Sequence, residues 1–225
     1  MTVFISRELN NYGSFHTILS SAGHEVQGTS LIHLEPMLFA QPPLADWLFF
    51  ASANAVSFFF NRQRAMHWPI PAPKIAALGP ATAEAIKKIG VQSDFCGTGD
   101  PEETAMAFAA EAAGQKVLFP AASHSRQSVQ RLLAGLVDGL HWSVYDNRPI
   151  HAPPRSTADV LVFTSPMNAI NYLEHHTVLP GQKVVAIGNT TAETLRGKGI
   201  VSVNVAGSPD EIAMAEAVLR FTHTE

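Results

Sequence analysis

The sequence predicts an α/β protein of two lobes, each built on a parallel, doubly wound sheet and joined by a two-segment extended link. Three observations carry this expectation. The first is an internal repeat. KIAALGPATAEAIKKIG at 74–90 returns as KVVAIGNTTAETLRGKG at 183–199, DWLFFAS at 46–52 returns as DVLVFTS at 159–165, and GDPEETAM at 99–106 returns as GSPDEIAM at 207–214. Three blocks in one order mark a duplicated unit. The second is the regular alternation of short apolar runs with helical patterns, which is the signature of parallel sheets covered by helices. The third is length: 225 residues divide into two lobes of about 110 residues, a size that sustains its own core.

The runs rich in Val, Ile and Phe read as buried parallel strands at 2–5, 47–50, 74–78, 116–119, 160–163 and 183–187. Helical faces follow them, with Phe15, Ile18 and Leu19 on one and Val129, Leu132, Leu133 and Leu136 on another. Segments ending at Gly23, Gly90 and Gly199 stop at glycine caps. Each half then reads β-α-β, β-α, β-α-β-α. Proline-containing extended stretches at 29–36 and 146–154 fall at corresponding places and read as the link between lobes.

Composition excludes several classes. Hydrophobic residues make up 46% and charged residues 15%, as expected of an ordinary globular domain. A net charge of −4 with no basic block argues against nucleic acid. The longest apolar stretch, 47–60, is broken by Ser52, Asn54 and Ser57 and is too short to span a bilayer, so no membrane partner is expected. The single cysteine, Cys96, and the absence of a basic leader point to the cytoplasm. Ten histidines, His124 and the pair His175 and His176 among them, show no metalloprotease spacing, and no metal is expected.

The turns after the strands carry Ser52, Thr82, Ser165, Thr190 and Thr191. Any one of them serves as a helix cap, and Ser165 before Pro166 is what capping alone selects. Together they line the carboxyl ends of parallel strands, where doubly wound folds bind ligands and amides at helix starts attract carboxylates or phosphates. Gly79 and Gly188 stand singly, without a dinucleotide or P-loop fingerprint, which disfavours nucleotides. No nucleophile elbow is present for a serine hydrolase. Tyr145, at the end of HWSVYDNR, is either an edge-strand packing residue or a hydroxyl for chemistry. Arg7 and Arg126 follow strands of equivalent units and read as solvated charges or as anion contacts.

Over nearly its whole length the chain resembles uroporphyrinogen-III synthase. The resemblance is carried by FISR at 4–7, FASANAV at 50–56, ALGPATA at 77–83, Val144 with Tyr145, VFTSP at 162–166, AIGNTTA at 186–192, and Ser208 with Pro209. Ala51, Ala55 and Glu8 depart from the residues frequent in that family. The resemblance implies a site in a cleft between lobes and an exchange the repeat does not reveal. One lobe would join residues 1–35 to 152–225, and the other would span 36–151.

It also implies that Tyr145 assists departure of a hydroxyl. Arg7, Ser52, Asn54, Thr82, Arg126, Ser165, Thr190 and Thr191 would bind substrate. The implied reaction closes linear hydroxymethylbilane to uroporphyrinogen III with inversion of the terminal pyrrole and loss of water, needing no metal or organic cofactor. A monomer acting on this small molecule is expected. A noncatalytic bilobed binder or sensor of tetrapyrroles or other polycarboxylates would keep the anion-binding turns but would not need the tyrosine.

Overall fold

The computed structural model describes residues 1–222 and divides the chain into two compact units. The first lobe joins Met1–His33 to the described residues from Arg148 onward, and the second spans Leu34–Asn147. The first lobe begins with β1 (Thr2–Ile5), α1 (Ser14–Ser21) and β2 (Glu25–Gly28). The chain leaves it through β3 (Ile32–Pro36). The second lobe follows with β4 (Trp47–Phe50), α2 (Ala53–Ala65), β5 (Lys74–Ala77), α3 (Pro80–Lys88), β6 (Phe95–Cys96) and α4 (Pro101–Ala112). It closes with β7 (Lys116–Ala122), α5 (Ser128–Leu132) and β8 (Asp138–Pro149), whose end carries the chain back. The first lobe is completed by β9 (Val160–Phe163), α6 (Pro166–His175), β10 (Lys183–Ala186), α7 (Asn189–Gly197), β11 (Asn204–Val205) and α8 (Glu211–Leu219).

The sheet of the first lobe runs β11-β10-β9-β1-β2, and every pair in it is parallel. In the second lobe the order is β3-β8-β7-β4-β5-β6, with parallel pairs from β8 to β6. Leaving out β3, the two orders coincide when each strand is replaced by its repeat partner. Counted along the chain, the first lobe has the doubly wound order 2-1-3-4-5 and the second, without β3, the same arrangement entered at its third strand, 5-4-1-2-3; the direction reverses between β1 and β9 in one lobe and between β7 and β4 in the other.

Alternation of side chains across each strand explains why the strands read as unbroken apolar runs. Val3, Ile5, Val160 and Val162 face α1 and α8, packing with Phe15, Leu19, Met214 and Val218. Phe4, Leu161 and Phe163 pack on the opposite side with Tyr172 and Leu195 of α6 and α7. The second lobe repeats the plan: Leu48, Phe50 and Ile75 pack with Phe59, Phe60 and Ile86, while Trp47, Phe49 and Val117 pack with Phe108, Val129 and Leu133. Each such side chain contributes about 1.5–3 kcal/mol on burial, so a strand covered on both faces cannot tolerate polar residues at either parity.

The repeated aspartates show how the halves are combined. Asp159, just before β9, accepts the Thr2 N–H at 2.7 Å and so holds β1. Its counterpart Asp46, before β4, accepts the Lys116 N–H at 2.8 Å and holds β7. Each half therefore supplies the strand that opens the other half's sheet. The repeat survives down to individual hydrogen bonds, across an exchange of partners.

The glycine stops appear as expected: Gly23, Gly90 and Gly199 have φ of 78°, 80° and 89° and follow the last turns of α1, α3 and α7. The face expected from Val129 to Leu136 is corrected. Helix α5 ends at Leu132, and Gly135 at φ 80° turns the chain into β8. Val129 and Leu133 are buried, but Leu132 and Leu136 are exposed. Strands β2, β6 and β11 were not among the apolar runs because they are short, partly exposed edges. No helix among the described residues is long and apolar enough to cross a membrane.

Candidate functional site

In the first lobe, the order reversal brings the end of β1 beside the end of β9. Ser6, fully buried, and Thr164 tie the two ends together: the Thr164 N–H donates to Ser6 Oγ at 2.9 Å and the Thr164 hydroxyl donates to the Ser6 carbonyl at 2.9 Å. The next residue on each strand is a site candidate, Arg7 on one side and Ser165 on the other. Ser165 caps α6, accepting from the Asn168 N–H at 3.2 Å and the Asn168 side-chain amide at 2.9 Å. The Ser165 Oγ is thus the cap of α6.

Arg7 forms an ion pair with Glu211 in the first turn of α8. The second oxygen of Glu211 accepts the Phe15 N–H at 3.1 Å, so one carboxylate occupies both the guanidinium and the start of α1. Gly13 permits this approach, since a Cβ there would lie 2.6 Å from that oxygen. Sequence reasoning singled out Arg7 but missed Glu211, whose position in the third repeated block gave no sign of a contact so distant in the chain.

The start of α7 is built differently. Gly188 precedes it with no side-chain cap, and a Cβ at Gly188 would meet nothing within 4 Å. Asn189 and Thr190 are exposed, and the N–H groups of Asn189, Thr190 and Thr191 have no protein acceptor among the described residues. Thr191 itself is only 2% exposed, so its place is in the packing beneath the helix start. What this turn offers an anion is three main-chain donors at the positive end of a helix.

The repeat predicts the same at the start of α3, but the side groups differ. Pro80 removes one donor there, and the Thr82 N–H turns back to the Gly79 carbonyl at 3.0 Å. A Cβ at Gly79 would lie 2.7 Å from Gly99 Cα, because the turn after β6 lies against this helix start. Thr82 is buried like Thr191. The two turns share a sequence and differ in openness.

At the reversal in the second lobe, Ser52 caps α2 by accepting the Ala55 N–H at 3.2 Å, with Asn54 exposed on the first turn. Opposite, the loop after β7 carries Ser123, His124 and Arg126. Arg126 is exposed and has no ion-pair partner among the described residues. Tyr145 lies level with the end of β7, where its carbonyl accepts the Ser123 N–H at 2.9 Å. The register skips Val144 between the pairs Ala121 with Ser143 and Ala122 with Tyr145, so the strand bulges there. The bulge sends both Val144 and Tyr145 into one core cluster, and the tyrosine ring stacks on Phe58 at 4.9 Å and 17°. It is 7% exposed.

The paired histidines lie elsewhere, at the far end of α6. His175 Nδ1 contacts the Asn171 carbonyl and His176 Nε2 the Pro153 carbonyl, beside a recess of about 260 Å³ that also includes Arg155 and Glu174. Among the described residues no group of three or more His, Cys, Asp or Glu side chains could hold a metal ion.

Two doubly wound sheets of one topology, each carrying hydroxyls, helix starts and an arginine at the carboxyl ends of its strands, define an α/β protein of two compact units. Comparison narrows the class. The family model of uroporphyrinogen-III synthase HemD matches residues 13–216, and the chain belongs to that enzyme family. Its fold is similar to that of uroporphyrinogen-III synthetase from Helicobacter pylori, which is 20% identical, with a TM-score of 0.72 over 98% of this chain and 99% of that one. A mutant uroporphyrinogen III synthase from Thermus thermophilus is 17% identical, with a TM-score of 0.59 over 100% and 99%. No curated protein sequence matches the chain.

Proposed function

We propose that this protein is a cytoplasmic cyclising hydro-lyase that converts hydroxymethylbilane to uroporphyrinogen III. The observation that carries the reading is the family match, which runs through both lobes. An electron-rich pyrrole expels its adjacent hydroxyl with mild acid assistance, the hydroxyl leaving with a proton as water. The resulting azafulvene is attacked within the same molecule through a spiro intermediate, and the terminal ring closes inverted. The protein's contribution is to hold the reacting ends in that geometry and to assist the departing oxygen.

The eight carboxylates of the substrate must be met by a chain of net charge −4. Main-chain donors supply what bulk charge does not. The open start of α7, with Thr190 and Thr191, the hydroxyls of Ser165 and Ser52, Asn54, and Arg126 take carboxylates in this reading, and Arg7 and Thr82 are further candidates. Tyr145 donates its phenolic proton as a hydrogen bond to the departing hydroxyl. A phenol hydroxyl is a hydrogen-bond donor that needs no prior proton capture.

The test is direct. The purified chain is given hydroxymethylbilane, and the products are oxidised and separated as type I and type III isomers. Type III is the expected product. Only the type I isomer of spontaneous closure would reject the reading, and binding without turnover would identify a noncatalytic binder.

A further inference from the structure

The loop between β1 and α1 carries a feature that the repeat and the site candidates leave unused. Tyr12, at its tip, is 96% exposed, whereas Tyr145 and Tyr172 are 7% and 0% exposed. An aromatic ring left in water ordinarily belongs to a slack surface segment; this loop is braced along its length. Arg7 at its start is held by Glu211, and the same carboxylate fixes the Phe15 N–H at its end. Glu8 accepts the Ser30 N–H at 3.0 Å, and Leu9 packs against the core. At the tip, Asn10 accepts the Tyr12 N–H at 3.1 Å through its side chain and the Gly13 N–H at 2.9 Å through its carbonyl. The backbone is held at each step while the ring it displays is left almost wholly exposed.

This combination is what a preorganised contact requires. The ordering cost of the loop is met by the fold, so a ligand stacking on the ring gains the full contact. The loop leaves the carboxyl end of β1 at the order reversal, the place where doubly wound sheets receive ligands. A planar aromatic ring of the substrate fits a braced loop that displays a phenol ring at this edge. We propose that Tyr12 stacks on a pyrrole ring of the substrate and positions it. The inference rests on the synthase reading above and extends it to a residue outside the repeated blocks.

Steady-state kinetics and isomer analysis of the full chain as wild type, Tyr12→Phe and Tyr12→Ala test it, with thermal unfolding as the control. Wild-type production of type III establishes the underlying reading; its absence would sink that reading before Tyr12 is reached. Given an active wild type, Tyr12→Ala is expected to raise KM by about three- to tenfold, with the unfolding midpoint unchanged because the ring supports nothing. Tyr12→Phe is expected to keep wild-type KM, since the face of the ring is retained. Wild-type kinetics in Tyr12→Ala would overturn the proposal. Equal losses in both variants would also overturn it, because the hydroxyl and not the ring would then carry the contact.

Discussion

Asn168 connects Ser165 to Leu31: its amide donates to the serine Oγ at 2.9 Å while its carbonyl oxygen accepts the Leu31 N–H at 2.8 Å. The cap of α6 is thereby fixed to the chain just before it leaves the first lobe. Asn171, one turn on, donates to the carbonyls of Leu31 and Ile150, the segments that leave and return. Buried asparagines at 4% and 1% exposure are uncommon, and these add side-chain bonds to a crossing whose two segments share the Ile150 N–H to Leu31 carbonyl bond at 3.1 Å. Asn168→Ala leaves the Leu31 N–H buried without an acceptor, and a loss of about 1–3 kcal/mol in urea denaturation is expected. Its KM should rise as well, since Ser165 loses a donor that orients it.

The open and closed helix starts should respond differently to one methyl group. Gly188 has extended backbone at φ −173° and free space, so Gly188→Ala should unfold at the wild-type urea concentration. Gly79→Ala drives a Cβ into the Gly99 backbone and should cost about 1–3 kcal/mol by overpacking. Matching midpoints for the two variants would contradict the asymmetry.

Binding should follow the main-chain donors at α7 more closely than bulk charge. Thr190→Leu places bulk beside the unpaired N–H groups of an exposed turn and is expected to raise KM by about tenfold, a loss of 1.4 kcal/mol. Lys87→Ala, on an exposed helix face, should leave KM unchanged. Equal effects in a kinetic comparison would favour diffuse attraction.

The two arginines should also separate. Arg126 has no ion-pair partner among the described residues, whereas the charge of Arg7 is already answered by Glu211. Arg126→Ala is expected to raise KM about tenfold without changing the unfolding temperature. A smaller rise is expected for Arg7→Ala, and its stability should fall by less than about 1 kcal/mol because the pair is partly exposed.

Tyr145→Phe removes one oxygen and keeps the ring that stacks on Phe58, so the variant should fold as wild type does. Loss of acid assistance is expected to slow turnover about a hundredfold. The type III fraction should fall as spontaneous closure overtakes the enzyme. Wild-type rate and isomer ratio would return the residue to packing alone.

Acid should weaken the first lobe through Asp159. The Thr2 N–H bond, chiefly, holds this carboxyl below its ordinary range. A depressed folded pKa means that the contribution is complete above the unfolded value of about 3.9 and is lost as pH falls through the folded one. Asp159→Asn should therefore show a shallower loss of stability between about pH 5 and pH 2, read by denaturation at each pH.

The sequence by itself determined the strands and their helices. Val3, Val160 and Val185 could be read as buried because a strand covered on both faces must be apolar at every position. The glycines at 23, 90 and 199 could be read as stops because few other residues adopt a positive φ at so low a cost. The hydroxyls at the turns were legible for a similar reason, since a strand entering a helix needs a cap.

Only the tertiary structure decided which strand lies beside which. An apolar run carries no record of its neighbour, so β1 could have opened either sheet until Asp159 and β9 took it. The same holds for the site. Thr82 and Thr191 are equivalent in sequence, yet the start of α3 is covered by Gly99 and the start of α7 is open. Arg7 and Arg126 are both single arginines after strands, yet Glu211, 204 positions away, reaches only one of them. The bulge at Val144 turns Tyr145 inward against Phe58 by a displacement of one residue that no periodicity announces. Local pattern specifies what each segment must bury, whereas contacts between distant segments decide which donors and charges remain available to a ligand.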